Sequence, residues 1–141
     1  MTTIDLEVPH EEQTVELARE YYQFQMNNGG YDPSVAIEDK PGFQRFKKRF
    51  EENGAFRLSE RITHKVTDVV GPRLQSTVME HRDWVISDED GLTALIDALE
   101  DAHQTLRADG DLEDGTEQAI QQVLNLVRFA KNHDYGVGCD I

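Results

Sequence analysis

A single cysteine, Cys139, leaves the chain without the means to form an internal disulfide, so its stability has to come from non-covalent packing. Long apolar runs are also missing. No stretch approaches the roughly 20 residues of a membrane-spanning helix, and Met1–Val8 lacks both the basic and the apolar region of a signal peptide. These absences lead to the expectation of a protein without a membrane partner, cytoplasmic or enclosed in a virus particle assembled in the cytoplasm. Lysine is scarce as well, at 5 of the 14 basic residues, against 28 Asp plus Glu, and the formal net charge is −14. Many carboxylates with few lysines resemble the surfaces of halophilic proteins, where salt screens the self-repulsion. The alternative is an ordinary acidic protein.

Catalytic and metal-binding patterns are absent in turn. His10, His64, His81, His103 and His133 make no zinc spacing such as H-E-x-x-H. Read as a calcium loop from Asp109, the acidic run Asp109–Gly115 has Asp114 where glycine is needed and Ile120 where the closing glutamate is needed. Cys139 has no sequence-adjacent base to activate it. Gly136-Val137-Gly138 follows a helix and lacks the lysine of a phosphate loop. The pairs Glu11-Glu12, Glu51-Glu52 and Glu100-Asp101 are neighbours on helices, so their side chains diverge into solvent. No catalytic residue, metal or cofactor is expected, and the chain reads as a non-enzyme.

What is present is periodicity, and it argues for folding despite a hydrophobic fraction of only 38%. The clearest signal is Ile86–Leu106, where Leu92, Leu95, Ile96, Leu99, Ala102 and Leu106 form one helical stripe. Ser87 is the expected N-cap, with Asp88, Glu89 and Asp90 at the positive end of the helix dipole. Alternation of Ile4, Leu6 and Val8 with Asp5 and Glu7 predicts a strand with one buried face. Glu11 and Glu12 should open a helix running to about Met26, closed by Asn27-Asn28-Gly29-Gly30. Another helix is predicted from Pro41 to about Asn53, with Phe43, Phe46 and Phe50 on one face. A last one spans 114–132, its Gln118, Gln121, Gln122 and Asn125 turned largely away from the core, followed by a short terminal strand in Tyr135–Ile141.

The interval 57–86 is ambiguous, because Ile62, Val66 and Val69 suit a helix while dense Val and Thr with Gly71-Pro72 suit a hairpin. The hairpin is the preferred reading, with Arg73–Ile86 as its second strand. The expected architecture is a single domain, 1–141, of α+β class: about four helices packed on a small, mostly antiparallel sheet. The alternative is an all-α bundle.

Charge is unevenly spread. Residues 1–39 carry 9 acids and 1 base, residues 40–82 carry 5 acids and 10 bases, and residues 83–141 carry 14 acids and 3 bases. The basic middle supplies the candidate partner-binding residues Lys40, Arg45, Lys47, Lys48, Arg49, Arg57, Arg61 and Lys65. They could dock on an acidic protein, including another copy of the chain, or bind nucleic-acid phosphates. A whole-chain charge of −14 repels a polyanion and no nucleic-acid-binding signature accompanies the patch, so protein contact is preferred. The functional expectation is a structural or interaction subunit of a larger assembly, a halophilic virus or cellular complex among the options. A small nucleic-acid-binding regulator comes second, and an enzyme of undisclosed chemistry third.

Overall fold

The computed structural model describes residues 3–27, 34, 36–53, 56–57, 62–68, 85–110 and 114–140. It is a mixed α+β fold, mostly helical. In chain order the elements are β1 (Thr3–Glu7), a 3-10 turn (His10–Glu12), α1 (Val15–Met26), α2 (Pro41–Asn53), β2 (Phe56–Arg57), α3 (62–68), β3 (Val85–Ile86), α4 (Glu89–Asp109), α5 (Asp114–His133) and β4 (Gly136–Asp140). The described residues thus hold five α-helices where the sequence reading expects four.

The fifth helix is the main correction. Residues 62–68 form α3, not a hairpin strand. Ile62, Thr63 and Val66 are buried while His64 and Asp68 are exposed, an i, i+4 pattern that alternation would not produce. Thr and Val prefer strands only weakly, and tertiary burial overrides that preference. The expected second strand survives as Val85–Ile86; the rest of that expectation lies outside the described residues.

The strands form one antiparallel sheet in the order β2-β1-β4-β3. Ile4 and Leu6 face the core, with Leu6 opposite Val137 and Val137 opposite Ile86, all at most 4% exposed. Asp5 and Glu7 lie on the other face, opposite Gly138 and Gly136. The period-two pattern at the N-terminus is therefore a strand, as expected, held mainly by β4.

Helix α1 begins later than Glu11. Glu11 and Glu12 belong to the 3-10 turn, and Thr14 is the N-cap of α1, its hydroxyl accepting from Leu17 N at 3.2 Å. On α4 the cap is Asp88 rather than Ser87: its carboxylate accepts from Gly91 N at 2.9 Å. The reason for glycine at 91 is close approach, since a Cβ there would lie 2.5 Å from Ile86 Cγ2 and 2.8 Å from Asp88 Oδ1. At its other end α4 stops at Gly110, whose φ of 73° is left-handed and costs glycine little. That accounts for one glycine of the acidic loop.

Helix α5 is the centre of the fold, and it touches α1, α4, β1 and β4. Ala119, Ile120, Val123, Leu124, Leu126, Val127, Phe129 and Ala130 are all buried, so apolar side chains cover more than half of its circumference. Of the polar residues expected to face away from the core, Gln118 is exposed, whereas Gln121, Gln122 and Asn125 lie beneath α1. Asn125, 1% exposed, donates to Gln25 Oε1 at 3.3 Å and accepts from Gln121 Nε2 at 3.1 Å. Gln25 Nε2 in turn donates to the Gln122 carbonyl at 2.9 Å and to the Tyr21 hydroxyl at 3.1 Å. This chain of bonds satisfies polar groups whose burial would otherwise cost about 1–3 kcal/mol each. Edge-to-face contacts of Phe129 with Tyr21 and Phe24, at 5.3 and 5.4 Å between centroids, complete the joint.

Candidate interaction surface

Helix α2 carries most of the basic cluster, and its placement starts from its aromatic face. Lys40 supplies the first carbonyl, accepting from Gln44 N at 3.1 Å, and Pro41 occupies the tolerated first turn. Phe43 and Phe50 are buried and Phe46 partly so. They pack on α1, with Tyr22 at 5.6 Å from Phe43 and 5.5 Å from Phe46, and Tyr21 stacked on Phe46 at 5.9 Å. Tyr22 lies against Gly42, where a Cβ would come within 2.5 Å of its hydroxyl. With that face fixed, Arg45 and Lys48 emerge on the opposite side, exposed together with Lys40, while Lys47 is half-buried at the flank.

The eight candidate residues do not share one element. Arg49 is on α2 and Arg57 is the register partner of Asp5 across β1, both described by backbone position only. Lys65 sits on α3, its Nζ 2.6 Å from where a Cβ on Gly115 would stand, so it lies beside the first turn of α5. Arg61 lies outside the described residues. The surface the structure brings together is Lys40, Arg45 and Lys48, with Lys47 at its edge.

Ion pairing separates these groups from Arg19, Arg107 and Arg128, while Lys65 and Lys131 also lack a carboxylate partner among the described residues. Arg19 binds Glu38, Arg107 meets Glu117 at 2.5 Å, and Arg128 meets Glu100 at 2.6 Å. The pairings hold the Glu38 and Glu117 carboxyls below the usual carboxylate range, through the Arg19 guanidinium in one case and Arg107 with His103 in the other. Among the described residues, no carboxylate reaches Lys40, Arg45, Lys47 or Lys48. The charge order of α2 also opposes its dipole. Whereas α1 and α4 begin with acids and α4 and α5 end with bases, α2 has no acid in its first turn, no base in its last, and Glu51 near its C-terminus.

The other candidate chemistry is structural. His103 sits at the rim of α4 with Nε2 3.2 Å from Glu117, and His133 meets Glu20 at 3.0 Å with its ring against Phe129. Among the described residues no three His, Cys, Asp or Glu side chains are grouped to hold a metal ion. Gly136-Val137-Gly138 is part of β4. A cleft of about 220 Å³ lies between the start of α4 and the end of α5, lined by Ser87, Glu89, Leu92, Lys131, Asn132 and Asp134. The carboxylate of Asp88 already caps that helix start. No described helix is long and apolar enough to cross a membrane.

One charged face was not singled out from sequence. Asp90, Asp97 and Asp101 are exposed on α4 at spacings of seven and four residues, opposite buried Leu92, Leu95 and Leu99. The spacing is legible in the sequence, but no local pattern distinguishes a binding face from a solvated one. Compared with known protein families, curated proteins and solved structures, the chain matches none.

Proposed function

We propose that this chain is a non-catalytic interaction subunit of a larger assembly, and that the basic face of α2 is the surface by which it docks on an acidic protein. The observation that carries the reading is the contrast in pairing: Lys40, Arg45, Lys47 and Lys48 stay unpaired among the described residues of a chain with 28 carboxylates to 14 bases. Exposed ion pairs stabilise a fold by only about 0–1 kcal/mol, but complementary charge across an interface sets encounter rate, register and partner choice. The charges of α2 also oppose its own dipole, which suits a surface shaped for a partner better than one shaped for helix stability. An assembly working in concentrated salt, viral or cellular, fits the acidic, lysine-poor composition.

The test compares immobilised wild type with the double variant Arg45→Glu/Lys48→Glu, both checked for native circular dichroism, as baits in an extract of the native source. Proteins retained by the wild type and lost from the variant, identified by mass spectrometry, are the expected result. Identical retained sets would overturn the reading. Titration of both chains with duplex DNA and single-stranded RNA runs alongside; tight, salt-sensitive binding by the wild type alone would replace protein docking with nucleic-acid binding.

A further inference from the structure

The helices form a row by contact: α2 rests on α1, α1 on α5, and α5 on α4. The helices at its two ends carry opposite charge on their exposed faces. At the start of α2 the exposed bases Lys40, Arg45 and Lys48 span eight residue steps, roughly 12 Å of helix rise. On α4 the exposed Asp90 and Asp97 lie seven residue steps apart, roughly 10 Å, with Asp101 one turn further on. The two stripes are opposite in sign and similar in length. The contacts between them run through α1 and α5, and among the described residues no ion pair joins the two stripes within one molecule.

We propose that copies of this chain associate head to tail, the basic face of α2 in one copy seated on the acidic face of α4 in the next. This deepens the docking reading above and rests on it, naming a second copy as the partner. A contact between two different surfaces leaves one free at each end, so it builds a ring if the rotation closes and an open filament if it does not. The turn at Glu51 sets the register, because only the N-terminal half of α2 is complementary to aspartates. At low ionic strength the net charge of −14 opposes the approach of any two copies. Salt shortens the reach of that repulsion from about 10 Å at 0.1 M to about 3 Å at 1 M, while the direct contacts act at closer range.

Sedimentation velocity on the full-length chain, between about 0.1 M and about 1 M chloride, tests the proposal with two reversals: Arg45→Glu/Lys48→Glu on α2 and Asp90→Lys/Asp97→Lys on α4. The wild type is expected to show concentration-dependent oligomers, and each reversal to weaken association at least tenfold. Mixing the two variants should restore oligomers in which they alternate, since the wild-type α2 of one meets the wild-type α4 of the other and the two reversed faces are complementary in turn. Combining all four substitutions in one chain exchanges the signs and should restore oligomers. A wild type that stays monomeric throughout, or an α4 reversal that associates like wild type, would overturn head-to-tail assembly. In either case, loss of a different retained protein from the α2 variant bait would leave the broader docking reading standing.

Discussion

Tyr21 shows how much a single side chain reports on the packing around it. Its ring is 4% exposed, wedged between Phe46 and Phe129, and its hydroxyl accepts from Gln25. Burial disfavours the phenolate and pushes the hydroxyl up to about 12 from an ordinary 10. A group whose folded value is raised contributes stability that is complete below the unfolded value and disappears as pH rises through the folded one. Between pH 10 and pH 12 the unfolded chain gives up this proton more readily, so Tyr21 should take away on the order of 3 kcal/mol across that window. Chemical denaturation at pH 9, 10, 11 and 12 checks this against Tyr21→Phe, which should lose less stability over the same interval. Parallel curves for the two proteins would mean that the hydroxyl reaches solvent before the chain unfolds.

At the scale of elements, α2 combines a strong apolar face with a charge order that works against it. Glu51, exposed near the C-terminal end, faces the negative pole of the helix dipole and has no ion pair with a described residue. Glu51→Gln should therefore stabilise the protein by about 0.3–1 kcal/mol at low ionic strength, and the gain should fade with added salt. Urea midpoints at constant m-value measure it, and a destabilised variant would show that Glu51 has a role the dipole does not describe. The same helix shows what was legible beforehand. Its limits, 41–53, its Phe stripe and its bases follow from a period of 3.6 extending over three turns. Residues 62–68 offered less than two turns of pattern, and the burial that makes them helical comes from distant parts of the chain. Asn125 reads as solvent-facing in the sequence because its partner, Gln25, is a hundred positions away. Of the candidate surface, composition revealed the cluster. Which bases share a face, and that an acidic helix closes the far end of the row, depended on helix contacts that no local pattern encodes.

For the whole molecule, the balance is between one diffuse repulsion and a few local attractions. A net charge of −14 acts on the entire fold, whereas Arg19–Glu38, Arg107–Glu117 and Arg128–Glu100 are surface pairs contributing about 0–1 kcal/mol each. Salt weakens both, but the repulsion sums over many more charges and acts over longer distances, so its relief should win. The melting temperature is accordingly expected to rise from about 0.01 M to about 1 M sodium chloride, where the screening length drops from about 30 Å to about 3 Å. For a chain near this size each kcal/mol recovered corresponds to roughly 4 °C. Chloride is the right salt for the measurement, because sulfate also strengthens apolar burial and would raise the melting temperature of proteins with no charge imbalance at all. Dilute protein keeps self-association from contributing, and Arg45→Glu/Lys48→Glu, which makes the net charge four units more negative, should steepen the salt dependence. A melting temperature that falls across the range would place the weight on the local pairs, and a flat one would mean that the carboxylates are too well hydrated or too widely spaced to strain the fold.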